Sequence, residues 1–139
     1  MKASDIMTLG AATTTPDSSL ASAIRCMGDH RISALPVVDG DGNLRGIVSE
    51  GDFFRRDGQG FRLEELARSG VGSATRELEE RRVAEIMTTA LISVDGDAPI
   101  EDAIGLMERH GMKRLPVMAK GKLVGLISRA DILRALLGE

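Results

Sequence analysis

Two short segments carry the same polar signature, Ser49-x-x-Asp52 and Ser128-x-x-Asp131. A serine followed three residues later by an acidic side chain is the mark of a helix N-cap with a capping box, here with Asp in place of the usual Glu. The same geometry leaves backbone N–H groups at the positive end of a helix dipole, which suits a phosphate. Cap and anion site are compatible readings, and the residues alone leave both open. Upstream of the second segment, Lys113-Arg114 sets two cations just before Leu115-Pro116-Val117. They read either as a solvated charge pair or as anion contacts, for which the planar fork of arginine suits phosphate oxygens. Thr13-Thr14-Thr15, before Pro16, has the β-prone character of a short strand. His30 and His110 fall at helix ends, where a cation complements the dipole, and no carboxylate pattern beside them suggests a metal site. Cys26, beside Met27 on an apolar helix face, reads as core. No paired carboxylates, nucleophile–base couple or metal-ligand set emerges, so neither catalysis nor a metal is expected.

Composition narrows the classes further. The chain has 139 residues, 28% of them charged and 42% hydrophobic, within the ordinary globular range. A net charge of −3, with no Trp or Tyr and three Phe, lacks the basic surface and stacking platforms of a nucleic-acid binder. The single cysteine excludes an internal disulfide and any cysteine-based zinc cluster. No apolar run approaches the ~20 residues that span a bilayer, and MKASDIMT has no apolar signal core. A cytoplasmic chain with no membrane partner is the expectation.

The elements that must position these residues emerge from self-comparison. A shift of 80 lays Ile6-Met7-Thr8 on Ile86-Met87-Thr88, Ala23-Ile24 on Ala103-Ile104, and Leu35-Pro36-Val37 on Leu115-Pro116-Val117. Residues 5–39 hold eleven identities under that shift. One residue is then lost, and Gly46, Ser49 and Asp52 fall on Gly125, Ser128 and Asp131. The chain therefore contains one unit twice. Within each copy, Leu20, Ala23, Ile24 and Met27, or Ile100, Ala103, Ile104 and Met107, form the stripe of a helix packed on one face. Asp17 or Ser18 is the expected cap of the first helix and Asp97 of the second, with Pro99 in the first turn. A hairpin follows in each copy, Leu35–Val38 to Leu44–Val48 and Leu115–Met118 to Leu123–Ile127, with turns at 39–42 and 119–121. Proline inside its first strand points to a sheet edge or a neighbouring irregularity. A second helix starts near Glu50 or Arg129, and a short strand near residues 12–15 or 91–94 precedes each unit. The domains read as repeat one at 1–55, a linker with short helices at 56–82, and repeat two at 83–139. Gly58-Gln59-Gly60 and Gly70-Val71-Gly72-Ser73 read as breaks in that linker, and Arg76–Arg82 as a solvated helical turn or two.

These residues resemble a known family. Asp5-Ile6-Met7-Thr8, Leu35-Pro36-Val37-Val38-Asp39 and Gly46-Ile47-Val48-Ser49-Glu50-Gly51-Asp52, in ordered duplicate, are similar to the cystathionine-β-synthase (CBS) domain, and two in tandem to the CBS pair or Bateman module. The resemblance implies an α+β fold of two βαββα repeats, packed with pseudo-twofold symmetry around a shared core. It also implies a regulatory module that binds AMP, ADP or ATP between the repeats and signals to an effector protein. In it, Thr15, Ile32, Ser33 and Ala34 surround adenine, while Lys113, Arg114, Ser128 and Asp131 hold phosphates and ribose. The opposite cleft, with Ser49 and Asp52 as a secondary site, joins Asp95, Met112, Lys113 and Arg114 to Ser33 and Ala34. It lacks a basic pair at its phosphate end and carries Asp95 where the first has Thr15. A ligand-free dimerisation module, or a sensor of S-adenosylmethionine or a dinucleotide, is the alternative. Ile132, Leu133, Leu136 and Leu137 make an apolar stripe too wide for so small a module to cover, so a homodimer is expected.

Overall fold

A computed structural model describes residues 1–10, 12–54 and 62–138. The chain forms two compact units, one of residues 12–91 and one that combines residues 1–11 with 92–139. Gly58-Gln59-Gly60 lies outside the described residues.

In the 12–91 unit, helix α2 (Leu20–His30) follows a one-turn helix α1 (Ala3–Ile6) that belongs to the other unit. Leu20, Ala23 and Met27 are buried, as the stripe requires, whereas Ile24 is 40% exposed. The N-cap is Ser19, whose hydroxyl accepts from the Ser22 N–H, rather than Asp17 or Ser18. Helix α2 leads into the hairpin β1 (Ala34–Val38) and β2 (Leu44–Ser49), then α3 (Glu50–Phe53), α4 (Leu63–Arg68) and α5 (Val71–Glu80). Gly70, at φ 90°, separates α4 from α5, but Gly72 and Ser73 lie within α5 rather than breaking it. The core gathers Leu20, Leu35, Val37, Val48, Phe53, Leu66, Val83 and Ile86.

The other unit repeats the plan. Strand β3 (Val94–Asp95) precedes α6 (Ile100–His110), the hairpin β4 (Arg114–Ala119) and β5 (Lys122–Ser128), and α7 (Arg129–Leu136). Strand order is β3-β4-β5, β3 parallel to β4 and β4 antiparallel to β5. Pro99 is itself the N-cap of α6, displacing Asp97 from that role. Ala3, Val94, Ala103, Met107, Leu115, Val117, Ile127 and Ile132 form the core.

Each hairpin is completed by a segment that the sequence places in front of the other repeat. Thr88 exchanges backbone hydrogen bonds with Ile47, and Thr8 does so with Leu126. Likewise Val83 N–H donates to the Ser18 carbonyl, and Ala3 N–H to the Ala98 carbonyl. A Cβ on Gly46 would stand 2.8 Å from the Thr88 carbonyl, and one on Gly125 would stand 2.8 Å from that of Thr8, so the crossings require glycine. The prolines fit for a related reason. Pro36 lies opposite Ile47 and Pro116 opposite Leu126, and each of those partners sends both backbone groups to the crossing segment. No hairpin bond is lost to the missing N–H. β4 is a central strand, so of the two expectations for proline the neighbouring irregularity holds there: the register shifts between Val117 and Met118.

Candidate functional site

In the unit of 1–11 and 92–139, strand register assembles the polar residues. Arg114 pairs with Ser128 across the hairpin, and Arg129 N–H donates to the Lys113 carbonyl, so the basic pair lies beside the start of α7. Ser128 is the N-cap. Its hydroxyl accepts from the Asp131 N–H at 3.1 Å, and its own N–H donates to Asp131 Oδ2 at 2.8 Å. The capping box is real, and the positive end of an eight-residue helix stands next to Lys113 and Arg114. Lys113 is exposed, while Arg114, Ser128 and Asp131 are half-buried. Two further cations were not singled out from sequence. Arg129 Nε donates to the Met112 carbonyl, and Arg134 Nη2 donates to Asp131 Oδ1 at 2.6 Å. The spacing of three residues from Asp131 to Arg134, neighbours on one helix face, could have flagged the second.

In the 12–91 unit, the matching junction is built on Ser33, Ala34, Ser49 and Asp52. Ala34 pairs with Ser49, and Glu50 N–H donates to the Ser33 carbonyl. The capping box is present here too, and the Ser49 hydroxyl in addition donates to Asp52 Oδ2 at 3.2 Å. Asp52 is buried, and its Oδ1 accepts from the Thr88 hydroxyl at 2.9 Å. Ile32, Ser33 and Ala34 are half-buried. Thr15 is exposed, and its hydroxyl shares a 2.7 Å hydrogen bond with that of Ser18. Thr15, Ile32, Ser33 and Ala34 thus belong to one unit, and Lys113, Arg114, Ser128 and Asp131 to the other.

The remaining candidates take structural places. His30 and His110 are the last residues of α2 and α6. Asp95 is exposed on β3, and its carboxylate accepts from the Asp97 N–H. Met112 is half-buried, its N–H held by the Met107 carbonyl beyond the end of α6. Among the described residues, no group of three or more His, Cys, Asp or Glu could hold a metal ion, and no helix is long and apolar enough to cross a membrane. On α7, Ile132 is buried, while Leu133, Leu136 and the C-cap residue Leu137 are 63%, 64% and 75% exposed. Two carboxylates are held below their ordinary range by backbone N–H donors: Asp39, first by Asn43, in the turn of the first hairpin, and Glu85, first by Arg82.

A duplicated helix–hairpin–helix unit, with a Ser-x-x-Asp step from the second hairpin strand into the helix that follows it, defines a tandem pair of CBS domains. The CBS-domain profile matches residues 3–58 and 83–138, and the chain belongs to that family. It is 32% identical over 128 residues to the CBS domain-containing protein YhcV of Bacillus subtilis, covering 92% of this chain and 80% of that one. It is also 30% identical to Hypoxic response protein 1 of Mycobacterium tuberculosis, covering 96% of this chain and 84% of the relative. A crystal structure of Hypoxic Response Protein I with two coordinated zinc ions is similar at a TM-score of 0.75 and 28% identity, over 96% of this chain and 98% of that one. A crystal structure of CBSX2 in complex with AMP is similar at a TM-score of 0.77 and 26% identity, over 99% and 97%.

Proposed function

We propose that this chain is a non-catalytic regulatory module that binds an adenine nucleotide, AMP, ADP or ATP, and passes the bound state to an effector protein. The observation that carries the reading is the junction of β4, β5 and α7. Lys113, Arg114 and the helix N-terminus after Ser128 suit phosphates, and Asp131 beside them suits the ribose hydroxyls. Thr15, Ile32, Ser33 and Ala34 are assigned to adenine on the family resemblance. The CBSX2 complex shows that a similar pair binds AMP. Ligand affinity that differs between two conformations would drive the signal.

Calorimetric titration with AMP, ADP and ATP tests the reading. Asp131→Ala or Arg114→Ala is expected to weaken binding by ~100-fold, the loss of about two charge-assisted hydrogen bonds. Asp52→Ala is expected to change it little. The reverse ranking would refute the assignment. Absence of any heat, together with no rise in melting temperature at millimolar nucleotide, would leave the second reading, a ligand-free dimerisation module. That reading draws on the exposed Leu133, Leu136 and Leu137 face, which we assign to a homodimer contact in either case. Light scattering at tens of micromolar is expected to give a dimer mass, and a monomer mass would refute it.

A further inference from the structure

The two Ser-x-x-Asp carboxylates are engaged by partners of different kinds. Asp52 is 6% exposed, and its Oδ2 accepts from both the N–H and the hydroxyl of Ser49, at 2.8 and 3.2 Å. Its Oδ1 accepts from the Thr88 hydroxyl at 2.9 Å. Thr88 is half-buried, and two backbone bonds to Ile47, at 2.9 and 2.8 Å, fix it in place. With the main chain held, the hydroxyl leaves Asp52 only by rotation of a partly covered, β-branched side chain that has few rotamers, and it gives up its carboxylate bond in doing so.

Asp131 is met differently. Thr8, the sequence counterpart of Thr88, makes the same pair of backbone bonds, to Leu126, but it is exposed. Among the described residues, its hydroxyl has no hydrogen bond to Asp131. Oδ1 of Asp131 is taken instead by Arg134, whose side chain is 59% exposed. An ion pair with one partner so exposed contributes little, and a released guanidinium is readily hydrated or drawn to an anion.

We propose that Thr88 is the residue that closes the Asp52 carboxylate to ligand, and that the exposed partner Arg134 leaves Asp131 open to a vicinal diol. The inference rests on the proposed reading of Asp131 as a ribose acceptor and adds what ranks the two carboxylates. A diol reaching Asp52 would exchange one hydroxyl–carboxylate bond for another, at the cost of the bond from Thr88. A diol reaching Asp131 displaces a group that water accepts.

Adenosine is the probe, because it carries the diol without phosphates and so removes any bias from Lys113 and Arg114. Equilibrium dialysis on the full chain is expected to give one adenosine per chain for the wild type and for Thr88→Ser. It is expected to give none for Asp131→Ala, two for Thr88→Val, and one for Thr88→Val combined with Asp131→Ala. Thr88→Ala removes the same hydroxyl and is read in the same way if the valine variant does not fold. Thr88→Val that stays at one site, while Asp131→Ala falls to none, overturns the role of Thr88 and leaves the nucleotide reading standing. Two sites in the wild type also overturn it. Binding of adenosine by neither the wild type nor Thr88→Val overturns the diol reading of both carboxylates, and the nucleotide reading falls with it only if AMP is not bound either. Binding unchanged in Asp131→Ala overturns the assignment of the open site.

Discussion

In the unit of residues 12–91, helix α2 stops on Arg31 at φ 54°, while in the other unit α6 stops on Gly111 at φ 64°. The backbone makes the same left-handed turn with two different residues. The same contrast runs through both units. Where main chains cross, the repeat is kept: Gly46 and Gly125, Pro36 and Pro116, Thr88 and Thr8 all match. Where the chain passes from the helix into the first hairpin strand, it is not: Ser33-Ala34 stands against Lys113-Arg114. The comparison teaches that backbone geometry constrains both copies alike, while the chemistry of the surface junction is free to differ.

The largest expected effects should be alike in the two units. Leu35→Ala and Leu115→Ala each remove a side chain with no exposed surface, and each should lower unfolding free energy by about 2–5 kcal/mol in denaturant titration. A large loss at one position alone would break the parallel. Gly46→Ala and Gly125→Ala press a methyl onto a backbone carbonyl that cannot move alone, and each should cost about 1–3 kcal/mol.

Smaller effects should separate the units. Arg31→Gly relieves a non-glycine residue at positive φ and should raise stability by up to about 1 kcal/mol, whereas Gly111→Ala should lower it by about 1 kcal/mol. Melting curves with opposite shifts would sharpen the contrast, and shifts of the same sign would refute it. The last effect depends on pH. Glu85 is held below its ordinary range because its carboxylate accepts the Arg82 N–H at 2.6 Å and bonds to Arg81. Its folded pKa is lower than its unfolded one, so its contribution is present above the ordinary Glu value of about 4.3 and is lost as pH falls below it. Glu85→Gln should therefore lower the melting temperature slightly at pH 7, by an amount that shrinks as the pH falls through the lowered folded value.

Much of this was legible in the chain. Eleven matched positions reveal the duplication, and the stripes from Leu20 to Met27 and from Ile100 to Met107 mark the helices. The hairpin turns follow from the Gly-rich steps at 39–42 and 119–121. The cap of α2 was missed by one residue because Asp17, Ser18 and Ser19 offer three similar acceptors in a row. The exchange of leading segments was not legible, because Ile47–Thr88 and Leu126–Thr8 are held by main-chain bonds that impose no hydrophobic period. Nor was the Thr88–Asp52 bond, whose partners lie 36 positions apart with nothing local to join them.

The exchange also orders the chain in time. During synthesis, residues 12–91 emerge as a continuous stretch that holds every partner of its own sheet, down to the Thr88 crossing. Residues 3–8 are made earlier still, yet Ala3 waits for Ala98, Ser4 for Gly96, and Thr8 for Leu126. Such distant closure is slow, because the loop must be ordered before any contact rewards it. Until β5 leaves the ribosome, Ile6 and Met7 have no hairpin to cover, so this edge of the core is the last to close.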